Sequence, residues 1–541
     1  MGSQDHRLVL WKLCIAFIAL AIGGLIGLFQ ALEYAGINLY SLLPFLRSYY
    51  QGLSLHGVLN ALVWTTFFIC GFLIFTTTYS LKRSLASRSL GWGAFWLMVV
   101  GLLAAAWALL SNEATVLYTF YPPLKAHPAF YIGLTLVVVG TWLLSADLYL
   151  TYWRWRKDNP GALAPLMAVG SLVTFVLWDM ATIGVAAEML VLLIPWSLGV
   201  SDATNPLLAR TLFWFFGHPL VYFWVLPAYL SWYTMLPQQA GGRLFSDPMA
   251  RLAFFLLLIF SVPVGLHHQF TDPGIDEGWK AFHTITTFAV AFPSLFTAFN
   301  VAASLEIAGR SRGGGGLLGW ITKLPWGEPV VAAQLLALIL FAFGGVGGII
   351  NASYNLDLVV HNTTWIVGHF HLTVGTAVTL TFMGISYWLL PYITGKALWS
   401  KRLALAQAYL WFIGMTLFSF GLHWGGLLGI PRRTSLDLAP YFQPEWRLPL
   451  ALAMVGGIIL TVSLLLYLAD VVLTLVASRE PAQVAVPMVE EAPAVEDAPG
   501  ILYRWWPWLA VMVILVIIGY GPLLVQVVLT TAWNAPGFRL W

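Results

Sequence analysis

Long apolar runs recur from end to end of this sequence, and they constrain its fold more than any other feature. The chain has 541 residues, of which 60% are hydrophobic and 9% are charged. A bilayer-spanning helix needs ~20 apolar residues, and about thirteen runs reach that length. They lie near residues 9–33, 52–80, 91–111, 128–153, 164–195, 204–236, 249–269, 277–305, 329–351, 358–392, 402–428, 446–476 and 502–531. The sequence therefore predicts an all-α polytopic membrane protein in which residues 1–541 form a single transmembrane domain.

Lysine and arginine are distributed unevenly between the two sides of these spans, and cytoplasmic loops usually carry more of them. If the N-terminus is cytoplasmic, the cytoplasmic set is Lys82, Arg83, Arg88, Arg154, Arg156, Lys157, Arg310, Arg312, Lys396, Lys401 and Arg402. The opposite set is Arg47, Lys125, Arg210, Lys280, Arg432, Arg433, Arg447 and Arg539. The bias predicts a cytoplasmic N-terminus and, with an odd number of spans, a C-terminus outside. The first run is long and lacks a cleavage site, so we expect it to be a retained span.

Composition also limits the partners and the metal ligands. A net charge of +3 gives no indication of a nucleic-acid partner, and the lipid bilayer is the expected surrounding. Cys14 and Cys70 lie far apart in apolar runs and are expected to be small buried hydrophobic residues. Any metal must therefore be held by histidine and not by a thiolate cluster. Residues 480–500, rich in Ala, Pro, Val and Glu, are expected to form a flexible acidic linker before the last span.

Two histidines, His369 and His371, lie two positions apart inside a long apolar run. On a helix, positions i and i+2 differ by roughly 200°, so these side chains point to nearly opposite sides. A histidine at membrane depth is a functional-site candidate by default, with a hydrogen-bonded residue between helices as the ordinary alternative. One helix could thus serve two separate metal centres, one on each flank.

His56 lies beside Gly57 near the outer end of the second span and provides a partner for this pair. Glycine beside a histidine lets a flat macrocycle approach the backbone. His56 with one of the pair would make a six-coordinate haem suited to electron transfer, and the remaining histidine would leave a haem with an open position, suited to binding a gas. The spacing does not distinguish which of the pair serves which haem.

A further group of histidines suits a different metal. His267 and His268 end the seventh predicted span, and adjacent positions differ by about 100°, so a shared metal needs a third ligand from another helix. His218 in the sixth span can supply it, and three imidazoles without a carboxylate favour copper or zinc. Tyr222 follows His218 by one helical turn on the same face, where a phenol can give an electron and a proton to a bound oxidant. The alternatives are that the three histidines fall in these positions by chance and that Tyr222 is an ordinary packed or interfacial tyrosine.

Taken together, these residues resemble subunit I of the haem–copper oxygen reductases, and most of all the B-type branch of the cytochrome c oxidases. The resemblance covers essentially the whole chain. It rests on Gly-His-Pro-Leu-Val-Tyr at 217–222, Pro-Val-Gly-Leu-His-His at 263–268 and Gly-His-Phe-His at 368–371. The resemblance implies that the chain folds as a single haem–copper oxidase bundle.

The resemblance also implies the metal ligands and cofactors. These are His56 and His371 for a low-spin haem, His369 for a high-spin haem, and His218, His267 and His268 for one copper ion, with Tyr222 joined covalently to His218. We expect haem B at the low-spin position and an A-type haem at the high-spin position, although the iron ligands do not reveal the haem side chains.

Other residues are implied to lie near the haem propionates. Arg432 and Arg433 match the arginine pair that meets these groups, and charge-assisted pairing explains the choice of arginine. Asp357 and His361 lie where the family keeps groups near the propionates of the active-site haem, with ordinary surface residues as the alternative.

A series of hydroxyl groups predicts the proton route. A-type oxidases carry glutamate where this chain has Leu220, so the route that ends at that glutamate is absent. The B-type branch uses a hydroxyl route instead, and we expect one here, with ordinary interhelical hydrogen bonding as the alternative for each group. Its members are Tyr222, Tyr229 and Tyr233 on the sixth span and Thr287, Ser294 and Thr297 on the eighth.

These features predict the catalytic subunit of a respiratory terminal oxidase in a prokaryotic cell membrane. It would reduce O2 to water with electrons from cytochrome c, take up protons from the cytoplasm and pump some of them outward. The chain lacks the Cys/His/Met cluster of a dinuclear copper entry site, so a second subunit is expected to carry it, and a small single-helix subunit is a further expected partner. Quinol is the alternative donor.

Two rival functions make different demands on the sequence. A nitric-oxide reductase would use non-haem iron with nearby glutamates and would lack the tyrosine one turn after the histidine, so Leu220 and Tyr222 argue against it. A non-redox transporter would explain the spans but not the six histidines that lie together in the outer halves of four spans.

Overall fold

The computed structural model describes residues 3–436, 439–482, 484–488 and 498–539. Those residues contain no β-strand, only helices and connecting segments. The α-helices, in chain order α1 to α19, are Ser3–Glu33, Tyr49–Gly57, Thr65–Ser80, Arg88–Leu110, Pro128–Asp158, Leu166–Ala187, Ile194–Ser197, Pro206–Thr234, Leu236–Gln239, Asp247–Phe260, Glu277–Ala289, Ala291–Ser311, Pro329–Ala352, Tyr354–Val360, Thr364–Leu372, Thr379–Thr394, Lys401–Leu427, Arg447–Val476 and Trp506–Thr530.

Within the described residues, 12 helical stretches are long and apolar enough to cross a membrane. Some of them join several helices, because π-helical segments connect α2 to α3 and α15 to α16 without ending the span. The protein is therefore a multi-pass helical membrane protein, as the apolar runs predict. The first run forms α1 and packs inside the bundle against α3 and α18.

The predicted span at 249–269 differs from the others because it is broken. α10 contains only 14 residues and ends at Phe260, and a short 3-10 segment follows at Gly265–Gln269. Pro263 lies between them and cannot donate a backbone hydrogen bond, so it interrupts the helical ladder. This break brings the two adjacent histidines into a non-helical segment.

Polar side chains cap the N-termini of two helices that carry histidines, α8 and α15. Asn205 accepts a hydrogen bond from the N–H of Leu208 at 3.0 Å, and Pro206 takes the first helical position of α8. Thr363 accepts from the N–H of Trp365 at 3.3 Å at the start of α15. Such caps satisfy backbone donors that have no partner inside the helix.

Three spans that carry histidines occupy the centre of the bundle. In Tyr49–Ser80, in α8 and in Thr364–Thr394, 89% of the most apolar 18 residues are buried, against 33% in α18 and α19. The peripheral spans shield the central ones from lipid. The histidine-bearing spans therefore face protein, as intramembrane polar groups must.

The two termini lie at opposite faces of the bundle. His6 packs edge to face on Tyr392 near the end of α16, with ring centres 5.7 Å apart. At the other end of the chain, the N–H of Phe538 donates to the carbonyl of Pro123, in the loop after α4, at 3.0 Å. We call the face that contains His6 and Tyr392 the N face, and the face that contains Pro123 and Phe538 the C face.

The predicted linker at 480–500 is described only in part. Ala482 donates its backbone N–H to the carbonyl of Gly395 at 2.9 Å, and residues 484–488 have no regular secondary structure. The acidic stretch at 489–497 lies outside the described residues.

Candidate metal centres

His56 and His371 face each other across a gap. Their rings are nearly parallel, at 15°, with centres 6.2 Å apart. The Nδ1 of His56 lies 2.8 Å from the carbonyl oxygen of Gly23, and the Nδ1 of His371 lies 2.8 Å from that of Val367. A carbonyl only accepts, so each Nδ1 carries the proton and each Nε2 keeps a free lone pair, as metal-binding histidines do.

The gap between the two rings has the width that one metal ion requires. A metal–imidazole bond of ~2 Å plus ~1 Å from nitrogen to ring centre on each side adds up to ~6 Å, which matches the observed 6.2 Å. The geometry therefore fits a bis-histidine iron.

A large, partly open cavity surrounds this pair of imidazoles, and the space inside it and at its open mouth together comes to about 1440 Å³. Glycines line one wall, and at Gly27 an added Cβ would lie 2.8 Å from Cε1 of His56. The remaining walls are mainly apolar and aromatic and include Tyr118, Phe370 and Phe418. A flat, largely apolar macrocycle fits such a space better than a hydrated ion does.

Arg432 and Arg433 lie at the rim of the same cavity. Arg432 donates to Oδ1 of Asn362 at 2.8 Å, and the Arg433 guanidinium lies 5.6 Å from the ring centre of Tyr118. Burial lowers the pKa of Arg432 to about 10, and Arg433 acts in the same direction, so the Arg432 guanidinium stays charged at neutral pH. Among the described residues neither is ion-paired with a carboxylate, so the rim offers two positive charges to an anionic group.

Both facing histidines are followed by π-helical turns. Val58–Trp64 follows His56 after one residue, and Thr373–Val378 begins two residues after His371. Single-turn π segments inside α-helices are frequent at functional sites because they re-aim side chains and free backbone carbonyls. Nothing in the apolar pattern of the sequence predicts them.

A second cluster consists of His218, His267 and His268. The ring centres of His218 and His267 are 4.2 Å apart, those of His267 and His268 are 4.3 Å apart, and one ligand atom from each of the three lies within 4.8 Å of the others. Nδ1 of His218 lies 3.1 Å from Nε2 of His268. Three converging imidazole nitrogens without a carboxylate form a trigonal site suited to copper or zinc.

Thr287 fixes the orientation of one of these rings. Its hydroxyl donates to the carbonyl of His283 at 2.5 Å and lies 2.9 Å from Nδ1 of His267. Because the hydroxyl proton is already used, the hydroxyl accepts the proton on Nδ1 of His267. Nε2 of His267 is thereby left unprotonated and free to bind a metal.

Two aromatic residues complete this cluster. Trp214 stacks on His268 with ring centres 3.7 Å apart and 9° between the planes. Trp214 was not among the predicted site residues, although its position one helical turn before His218 is a usable signal. Tyr222 packs against His218 with ring centres 5.0 Å apart, and Nε2 of His218 is buried with no hydrogen-bond partner.

His369 points away from the facing pair, toward α13. A Cβ added at Gly347 would lie 3.0 Å from its Nδ1, and one added at Gly348 would lie 3.3 Å from its Cε1. Glycine at these positions lets α13 approach the ring closely. His369 also interacts electrostatically with His218 and His267, so it lies beside the three-histidine cluster.

Asp357 and His361 pair with each other near this cluster. Nδ1 of His361 lies 2.7 Å from the Asp357 carboxylate. Burial raises the pKa of Asp357, and the hydrogen bond from His361 opposes that shift. His361 interacts electrostatically with His268, and the side chains of His361 and Asp357 are only 9% and 3% exposed.

The structure brings the predicted hydroxyls together in pairs. Tyr233 donates to Thr297 at 2.6 Å, and Tyr229 lies near Ser294, whose hydroxyl donates to the carbonyl of Val290 at 3.2 Å. Tyr222 interacts electrostatically with Tyr229. One hydrogen bond of the predicted ladder, Tyr233 to Thr297, therefore joins α8 to α12, whereas Thr287 contacts His267.

A polytopic helical bundle that places an arginine-rimmed bis-histidine cavity beside a three-histidine cluster defines an intramembrane metalloprotein. The donor atoms fit a haem between His56 and His371, a second haem on His369, and a copper ion held by the other three histidines.

Comparison with known proteins identifies the group. The profile of the family described as cytochrome c and quinol oxidase polypeptide I matches residues 7–459. Cytochrome c oxidase subunit 1 of Thermus thermophilus is 49% identical over 99% of this chain and 97% of its own length. The subunit 1 of Thermostichus vulcanus is 28% identical over 87% of this chain and 84% of its own. A solved structure of a haem–copper terminal oxidase dimer matches with a TM-score of 0.93 and 42% identity, over 99% of this chain and 94% of that one.

The chain therefore belongs to the subunit I family of the haem–copper oxidases, and its likeness to the Thermus sequence supports the B-type branch. Membership makes it an oxidoreductase that uses haem and copper.

Proposed function

We propose that this chain is the catalytic subunit I of a cytochrome c oxidase, which reduces O2 to water and couples the reaction to proton uptake and pumping. The observation that carries the proposal is the three-histidine cluster with Tyr222 on one side and His369 nearby. The name of the Thermus relative supports cytochrome c as the donor.

The histidines divide into three roles. The proposed ligands are His56 and His371 for a low-spin haem, His369 for a high-spin haem, and His218, His267 and His268 for copper. We assign haem B to the first site and an A-type haem to the second. The chemistry that these groups supply when bound is one-electron transfer and the reduction of O2.

The protein holds these ligands in place through backbone and side-chain contacts. The carbonyls of Gly23 and Val367 keep Nδ1 of their histidines protonated and both Nε2 atoms available. Arg432 and Arg433 supply charge for the propionates at the cavity rim, where charge-assisted bonds are strongest. Asp357 and His361 lie near the propionates of the second haem, the one assigned to His369.

Tyr222 holds a proton at its phenolic oxygen beside the O2-binding position. Nε2 of His218 has no other partner and is the atom that we propose to be joined to the Tyr222 ring. The new C–N bond would replace one N–H and one C–H bond, and the two protons and two electrons released would take one O2 to the level of hydrogen peroxide at the same site.

Protons reach the site along the hydroxyl ladder on α8 and its neighbours. The pairs Tyr233–Thr297 and Tyr229–Ser294 provide two successive rungs from the N-face end of α8 toward Tyr222. Each hydroxyl both donates and accepts, so a proton can pass by hydrogen-bond exchange, with water between the rungs.

We further propose the setting in which this chain works. Its 541 residues form one transmembrane catalytic domain in a prokaryotic cell membrane, with the N face cytoplasmic, as the excess of lysine and arginine there suggests. A second subunit carries the dinuclear copper centre that receives electrons from cytochrome c, and a small single-helix subunit completes the assembly.

The donor is tested by oxygen consumption of the purified complex. We expect O2 uptake with reduced cytochrome c and none above background with a quinol, and His218→Leu in the same complex is the inactive control. O2 uptake with a quinol alone would contradict the assignment of the donor and favour a quinol oxidase.

A further inference from the structure

The segment that carries His267 and His268 lacks the backbone bonds of a continuous helix. α10 ends at Phe260, and Pro263 separates it from the 3-10 segment. In an uninterrupted helix, the N–H groups of Gly265 and Leu266 would bond to carbonyls four residues earlier. Both groups are buried, and a buried donor without a partner is unfavourable.

The last span supplies the first of the missing partners. The hydroxyl of Tyr520, in the middle of α19, accepts from the N–H of Gly265 at 3.1 Å, and Tyr520 is 1% exposed. A Cβ added at Gly265 would lie 2.4 Å from that hydroxyl oxygen and 2.2 Å from the carbonyl oxygen of Trp214. Only glycine fits between α8 and α19 at this point.

His283 supplies the second partner and links it to the same span. Its Nδ1 accepts from the N–H of Leu266 at 3.4 Å, and its Nε2 donates to the carbonyl of Gly519 at 3.1 Å. The two bonds fix one neutral tautomer, protonated on Nε2. Gly519 and Tyr520 are adjacent in α19, so one turn of the last span serves both donors.

α19 is itself held on the side toward the C face. Trp279 donates from Nε1 to Gln526 at 3.1 Å, and Asn205 donates to the hydroxyl of Thr531 at 2.7 Å. These bonds tie the span to α11 and to the start of α8. The turn at Gly519 and Tyr520 is therefore not free to slide along the bundle.

We infer that α19 acts as a clasp for the copper ligands, with Tyr520 and His283 as the positioning residues that hold the backbone of the His267–His268 segment. The inference rests on the proposed copper site. Neither residue touches the metal. Each satisfies a backbone donor within two residues of a copper ligand and so fixes where the two imidazoles point.

The test compares Tyr520→Phe with the unaltered chain in the purified complex. We expect Tyr520→Phe to hold copper about 10-fold more weakly, as the loss of supporting contacts around metal ligands usually does. The measurements are the copper-to-iron ratio after dialysis against a copper chelator and the infrared stretch of carbon monoxide bound to copper, which we expect to shift. Tyr467→Phe is the matched control, because Tyr467 is equally buried and donates to Ser386 at 2.9 Å, in contact with none of these histidines.

A second pair of variants keeps the test decisive if Tyr520→Phe does not assemble. His283→Leu removes the acceptor for Leu266, whereas His283→Asn places an amide where Nδ1 lies and should restore copper retention. Wild-type copper retention and an unshifted carbon monoxide band in Tyr520→Phe or, failing that, in His283→Leu would overturn the clasp. Copper missing from the unaltered complex would instead overturn the proposed function on which it rests.

Discussion

The hydroxyl of Thr287 gives the sharpest single test of the copper-site geometry. It donates to the carbonyl of His283 and accepts from Nδ1 of His267 at 2.9 Å. Thr287→Val keeps the shape but leaves the buried N–H of His267 without an acceptor, at a cost of about 1–3 kcal/mol. Since ~1.4 kcal/mol corresponds to a factor of ten, we expect copper affinity to fall about 5- to 150-fold.

The assay is copper titration of the copper-depleted complex, followed by turnover at saturating copper. Thr284→Val is the matched control, because Thr284 lies on the same helix and donates only to the carbonyl of Lys280 at 2.8 Å. Thr287→Ser should restore affinity. Slow turnover with wild-type copper affinity would refute the hydrogen-bond argument and assign Thr287 to the proton ladder alone.

Three further substitutions test other parts of the account. Gly27→Ala puts a Cβ 2.8 Å from Cε1 of His56, so we expect the displaced ring to shift the low-spin haem spectrum. Ser294→Ala removes the hydroxyl near Tyr229 and should slow proton uptake and turnover several-fold with both haems retained. Arg433→Met removes a positive charge from the cavity rim and should lower the midpoint potential of the low-spin haem, because the reduced state carries more negative charge.

For each of these three substitutions, one result would contradict the prediction. An unchanged low-spin spectrum in Gly27→Ala would contradict the contact with His56, and Gly93→Ala is its control because nothing lies within 4 Å of an added Cβ there. Unaltered proton uptake in Ser294→Ala would remove that rung from the ladder. A midpoint potential that stays constant or rises in Arg433→Met would argue against the propionate assignment.

The directions of the central histidines follow from helical geometry alone. A spacing of two residues places His369 and His371 about 200° apart, and in the structure His371 faces His56 while His369 faces Gly347. The proposed copper ligands could likewise be predicted, because two adjacent histidines can share a metal only with a third ligand from another helix, and His218 can supply it.

The support of the copper ligands could not be predicted in this way. The apolar run at 249–269 gives the period of a single span, yet Pro263 breaks it and leaves backbone donors that only distant residues satisfy. Tyr520 lies more than 250 positions from His267, and no local pattern links the two. Contacts of this kind arise from the packing of spans and not from the periodicity of any one of them.

Haem and metal quantification of the purified complex, with reduced-minus-oxidised and carbon monoxide-bound optical spectra, tests the central claim most directly. We expect two haems and one copper ion per chain, with carbon monoxide binding to one haem only, because the other haem would be held by both His56 and His371. Non-haem iron in place of copper would contradict the oxidase assignment and favour a nitric-oxide reductase, and a protein without haem bands would contradict the metal sites altogether.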